Sequence, residues 1–203
     1  MFSTLSNDSS GDPSRSDLSV EPPAEVLERA RAEDSTAFAA LFQQYNAQIC
    51  TYLARLVGND DAGRDLAQET FIRAWKSLPQ VHGELHFKPW LYRIATNTAK
   101  SHLRHERLIR WLPWQEHPGD TTIERLSITG PEEHAGEAEC VRQALAQLSP
   151  QCRTCLLLQL VAGFSQREIA QSLGISEKSV SAYVSRGREQ FRQVFRRMKG
   201  AAE

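Results

Sequence analysis

The chain has 203 residues, 40% of them hydrophobic, with 24 basic and 25 acidic side chains and a formal charge of −1, enough apolar material for one or two cores. No apolar run is long enough to cross a bilayer, and the N-terminus lacks the charged start and hydrophobic core of a secretory signal. The four cysteines do not have the spacing of a disulfide framework, so the expectation is a cytoplasmic protein with reduced thiols and no membrane insertion.

Near-neutrality hides a segregation of charge. Residues 1–35 hold three basic and eight acidic residues, a balance of −5. Residues 36–112 stand at +4, residues 113–140 at −6 and residues 141–203 at +6. Two basic modules behind an acidic head, separated by an acidic connector, form the electrostatic footprint of a nucleic-acid binder.

Residues 1–23 are rich in Ser, Asp and Pro and lack apolar periodicity, which predicts disorder; residues 1–35 are expected to form an acidic, largely disordered head. Helical periodicity starts near Ala24 and becomes strong at Phe38, Leu41, Phe42, Tyr45, Ile49, Leu53 and Leu56. Gly58-Asn-Asp-Asp breaks it. A second helix is predicted from about Asp61 to Leu78, burying Leu66, Phe71, Ile72, Trp75 and Leu78, with Pro79 ending it. Residues 80–88 read as a loop containing Gly83.

Pro89 sits in the first turn of a third helix that runs to about Arg110. On a wheel of about 100° per residue, Arg93, Asn97, Lys100, Arg104 and Arg107 share one narrow stripe. Leu91, Ile94, Ala95, Ala99 and His102 lie opposite, which makes His102 an interior imidazole. Trp90 flanks the stripe and Phe87 precedes it. A solvated basic face is the plainer reading of a charge run. A stripe nearly free of acids and edged by aromatics instead suits a surface that tracks a phosphate backbone and stacks on exposed bases.

Residues 113–137, with Pro113, Pro118, Gly119, Gly130, Pro131 and six acids, read as a flexible connector, and the linker is placed at 113–138. From about Glu139 to Met198 a four-helix unit is expected. Within it, Gln151 to Val161 reads as a buried helix. It carries Cys152 and Cys155 as a CxxC with no second pair at ligand spacing, so buried thiols are expected in place of a metal or cofactor site.

Ser165-Gln-Arg-Glu-Ile-Ala-Gln-Ser-Leu-Gly-Ile-Ser-Glu-Lys-Ser-Val180 reads as a helix-turn-helix. Ser165 and Glu168 form a capping box, Ile169, Ala170 and Leu173 make an apolar face, and Gly174 ends the first helix in the left-handed conformation. Ser176 caps a second helix with Val180, Val184, Gly187, Phe191 and Val194 inward. Lys178, Ser181, Ser185, Arg188 and Arg192 lie outward, residue types that reach phosphates and base edges in a major groove. With no strand pattern anywhere, the fold class is all-α, in two small helical domains.

These residues resemble a bacterial RNA polymerase sigma factor of the extracytoplasmic-function (ECF) group of the sigma-70 family. Three motifs carry the resemblance: Asp65-Leu-Ala-Gln-Glu-Thr-Phe-Ile-Arg-Ala-Trp75, Phe87-Lys-Pro-Trp-Leu-Tyr-Arg-Ile-Ala-Thr-Asn97, and the helix-turn-helix. It implies that residues 36–112 bind core polymerase and recognise and melt the −10 element. Asp65, Gln68, Glu69 and Arg73 would be the polymerase contacts. Trp90, Arg93, Asn97, Lys100, Arg104 and Arg107 would meet the −10 strand, and the loop at about 80–88 would hold one base turned out of the stack. Residues 139–203 would read the −35 duplex through Lys178, Ser181, Ser185, Arg186 and Arg188. Relatives are commonly held by an anti-sigma protein occluding both domains, a partner that the long linker would permit.

The rival readings are a helix-turn-helix regulator that binds operators without joining polymerase, and an enzyme acting on DNA. The first leaves the Asp65–Trp75 motif and the basic stripe without purpose. The second needs a positioned nucleophile or a carboxylate cluster, which the sequence does not offer.

Overall fold

The computed structural model describes residues 21–110 and 132–199, and every regular element among them is helical. The order is α1 (Ala24–Arg31), α2 (Ser35–Val57), α3 (Asp60–Ser77), a single 3-10 turn (Leu78–Gln80), α4 (Phe87–Arg110), α5 (Glu132–Ala146), α6 (Pro150–Leu160), α7 (Gln166–Leu173) and α8 (Glu177–Lys199). The connector expected at 113–138 lies largely outside the described residues, but α5 begins inside its C-terminal end.

Local chemistry sets the boundaries. Asp34 caps α2 by accepting from the amides of Thr36 at 2.8 Å and Ala37 at 3.2 Å. The Thr36 hydroxyl and the Arg29 guanidinium hold its carboxyl well below the usual range. Gly58 closes α2 with φ 82°, and Asn59 caps α3 by accepting from the Ala62 amide at 2.8 Å. The α2–α3 crossing depends on Gly63, where a Cβ would lie 2.6 Å from the Ala54 backbone. Ser149 and Pro150 begin α6 as cap and first residue.

Glu33 adopts φ 62° between α1 and α2, a conformation that costs a residue with a Cβ about 1–2 kcal/mol. Glu33→Gly is therefore expected to stabilise the fold by roughly 0.5–1 kcal/mol after the entropy cost of glycine, read as a higher urea midpoint. A lower midpoint would show that the Glu33 side chain contributes more than its strain costs.

The acidic head is not wholly outside the fold. Its residues 24–31 form α1, which buries Leu27 and Ala30 against α2. The start of α1 coincides with the onset of helical periodicity near Ala24, which the head's boundary, drawn from charge, overruns. The first helical group gathers Leu41, Tyr45, Ile49, Leu53, Leu66, Phe71, Leu78, Phe87 and Leu91 into its core. The second gathers Leu148, Cys152, Cys155, Leu158, Ile169, Val180 and Val184.

The two groups pack on each other. The Tyr92 and Phe164 rings meet edge-on at 5.1 Å, and the Lys88 ammonium sits 5.2 Å over the Phe164 ring. Arg153 donates to the Leu56 carbonyl at 3.0 Å, satisfying the C-terminal end of α2 from 97 residues away.

Candidate nucleic-acid interface

Helix α4 sorts its residues by depth. Leu91, Tyr92, Ala95, Thr96 and Ala99 are buried, whereas Arg93, Asn97, Lys100 and Arg104 are exposed. Steps of four, three and four residues keep these four on one side of the helix. The Arg107 side chain lies outside the described residues. Thr96 is locked inside by bonds of 2.8 Å with the Tyr52 hydroxyl and the Tyr92 carbonyl. The second helical group covers the flank bearing Lys88 and Tyr92, which narrows the open surface to the polar stripe.

Two expectations about α4 change. Phe87 is fully buried, its ring 5.4 Å from Tyr45 and 5.6 Å from Trp90. It therefore props Trp90 and cannot stack on a base; half-buried Trp90 is the aromatic left beside the stripe. His102 is not interior: its side chain is 31% exposed and faces Glu106 at 3.3 Å. It lies on the core side of the wheel, but α4 has outrun the core by that point.

On α3, Asp65, Gln68 and Arg73 are exposed and Glu69 is half-buried. Glu69 and Arg73 pair with each other at 2.5 Å. Ile72, expected in the core, is 50% exposed. Its place follows from spacing: positions 65, 68, 69 and 72 form one helical face, so Ile72 shares the exposed side of Asp65, Gln68 and Glu69. Phe42 of α2 is also exposed, with its ring 4.8 Å from Phe71. An apolar centre rimmed by polar groups is the usual anatomy of a protein-binding patch.

The helix-turn-helix is built as its sequence dictates. The Ser165 amide and hydroxyl donate to the Glu168 carboxylate at 2.8 and 2.7 Å, and the Glu168 amide donates back to the Ser165 hydroxyl at 3.3 Å. Burial raises the Glu168 carboxyl, but the Ser165 donors together with the charges of Lys88 and His86 outweigh it and hold it below its ordinary value. Gly174 turns the chain at φ 66°, and Ser176 caps α8 by accepting from the Ser179 amide at 3.1 Å. Val180, Val184 and Gly187 are buried; a Cβ on Gly187 would meet the Cys152 carbonyl at 3.3 Å, so the glycine lets α8 cross α6 closely.

Lys178, Ser185, Arg186 and Arg188 are exposed along α8, and Ser181 is half-buried at the edge of that surface. Arg188 donates to Gln159 of α6 at 2.8 Å, which fixes its direction. Cys152 and Cys155 are buried free thiols. Burial, with Cys152 adding, pushes the Cys155 thiol up to about 11, so it stays protonated at neutral pH.

The chain is similar to known proteins in sequence and fold. The family profile Sigma-70 region 2 matches residues 41–109, and Sigma-70, region 4 matches residues 138–191. The RNA polymerase sigma-H factor of Pseudomonas aeruginosa is 32% identical over 179 residues, spanning 85% of this chain and 93% of that one. The ECF RNA polymerase sigma factor SigW of Bacillus subtilis is 29% identical over 177 residues, 84% of this chain and 95% of the other. Among solved structures, the Bartonella quintana sigma factor RpoE, crystallised with the anti-sigma factor NepR, superposes with a TM-score of 0.65 at 22% identity, covering 78% of this chain and 96% of that one.

Proposed function

The chain belongs to the ECF group of the sigma-70 family of RNA polymerase sigma factors, and we propose how its exposed surfaces share the work of promoter-directed initiation. As a sigma factor it partners core RNA polymerase and recognises promoter DNA. Residues 36–112 form the part that docks on polymerase and opens the −10 element, residues 139–203 the part that reads the −35 duplex, and 113–138 the link between them.

Asp65, Gln68, Glu69 and Arg73, with Ile72 at their centre, dock on polymerase. Arg93, Asn97, Lys100, Arg104 and Arg107 hold the displaced strand, and Trp90 stacks beside them. Lys178, Ser181, Ser185, Arg186 and Arg188 face the −35 duplex. The chain acts in the cytoplasm and catalyses no bond chemistry; it supplies binding energy and position. The NepR complex of the B. quintana protein supports an anti-sigma protein as a further partner.

One observation carries this reading: two cationic helix faces, α4 and the start of α8, stand exposed on separate helical groups, while α3 presents an acidic face with an exposed isoleucine. A regulator that bound operators alone would need neither the α3 patch nor the α4 stripe. Mixing the chain with core polymerase separates the two. A stable complex that starts transcription at defined sites is expected, whereas duplex binding without a polymerase complex would establish the regulator.

Arg186→Ala with Arg188→Ala is expected to weaken −35 duplex binding and to flatten its salt dependence, by about one unit of log–log slope for each phosphate no longer neutralised. Titration of binding against salt checks this. A slope equal to that of the parent would remove both side chains from the phosphates.

A further inference from the structure

The loop that precedes α4 is held by the segment that leads into and forms α1. Arg31, at the end of α1, donates to the Gly83 carbonyl at 2.7 Å, across 52 residues. Its side chain is only 15% exposed, and Glu28 accepts from its other terminal nitrogen at 2.8 Å. Gly83 has φ 76°, a conformation open mainly to glycine, so the held carbonyl belongs to the tightest point of the loop.

A second hold lies at the start of α4. Glu84-Leu85-His86 offers no Ser, Thr, Asp or Asn to cap the helix. The Glu21 carboxylate takes that role from 66 residues away, accepting from the Phe87 amide at 3.0 Å and, more weakly, from the Lys88 amide at 3.5 Å. An acid at a helix N-terminus also meets the positive end of the helix dipole. Between the two segments lies a cavity of about 270 Å³, with Glu21, Leu27 and Arg31 on one wall and Gly83, Leu85 and His86 on the other.

We propose that Arg31 and Glu21 are positioning residues for base discrimination at the −10 element: the segment 21–31 is the back wall that fixes the Gly83 loop and the first turn of α4 against an unpaired base. This rests on the reading of that loop as the part meeting the melted strand. Neither residue touches DNA. Each acts through a backbone group that would otherwise move, and a loop free to shift by an ångström distinguishes bases poorly.

The test is promoter-specific transcription by core polymerase carrying the full chain, on templates with each base at each −10 position and on templates altered at −35. Arg31→Met keeps the buried stem and removes the donors. Its discrimination at one −10 position is expected to fall roughly tenfold, the scale of one charged hydrogen bond, with −35 discrimination and polymerase affinity unchanged. Arg31→Lys, which keeps a donor, recovers part of the loss, and Glu21→Gln shows a smaller loss at the same position. Unchanged −10 discrimination in Arg31→Met, or an equal fall at −10 and −35, would overturn the proposal. A parent chain that discriminates at −35 but at no −10 position would overturn the loop reading itself and the proposal with it.

Discussion

Lys100→Ala combined with Arg104→Ala abolishes open-complex formation while polymerase binding and −35 duplex binding stay at the parent level; this is the largest effect expected of any exposed pair. Both side chains are exposed on α4 and stand one turn apart. The stripe that holds them contains no acid, so their charge is not neutralised within it. Removing exposed side chains away from packed groups changes stability by only about 0.5 kcal/mol either way. Each hydrogen bond from a cation to a strand phosphate is worth about 1.5–3 kcal/mol. Removing two lowers open-complex occupancy roughly a hundredfold or more. Permanganate reactivity of unpaired thymines measures opening, and co-elution with core polymerase measures docking. A parallel fall in both would reassign the pair to docking or folding.

The second large effect belongs to α3. Asp65→Lys together with Ile72→Ala is expected to weaken core-polymerase binding by roughly thirtyfold or more, the scale of a docking hot spot. Both positions are exposed, so the helical core stays intact and −35 duplex affinity is preserved. Arg73→Ala behaves differently. Its guanidinium is already engaged by Glu69, and an exposed pair of this kind contributes less than about 1 kcal/mol. Competition against a labelled sigma factor for core polymerase separates the cases. If Arg73→Ala weakens binding as much as the double variant, the acidic and apolar face is not the centre of the contact.

Features governed by local rules are legible in the sequence. Gly58 and Gly174 take the left-handed turn, Ser165 and Glu168 form their box, and Arg93 to Arg104 emerge on one exposed stripe, each over a few residues. Contacts between distant segments are not. Glu21 with Phe87, Arg31 with Gly83, Tyr92 with Phe164 and Arg153 with Leu56 join residues whose neighbours give no periodic signal of the partner. Lys88, basic in sequence, is buried, and burial lowers its pKa despite the opposing charges of Glu168 and Glu21.

Ile72 is a different case. Its position is readable from the spacing of 65, 68, 69 and 72, but the general rule that apolar side chains turn inward places it in the core. Ile72 stands instead on the exposed face proposed to dock on polymerase, where an apolar side chain would meet a partner and not the core. Phe87 shows the reverse error. An aromatic beside a basic stripe suggests stacking on bases, yet the Tyr45 and Trp90 rings enclose it. The last residues of the head escape a reading by charge, because net charge says nothing about whether two apolar residues, here Leu27 and Ala30, reach a neighbouring helix.

Transcription from a promoter library randomised upstream of the start site, using core polymerase and this chain alone, tests the central claim most directly. Active templates should be enriched in two short sequence blocks at a fixed separation, the downstream one lying within the melted segment. Enrichment of a single block, or no transcription above that of core polymerase alone, would contradict it.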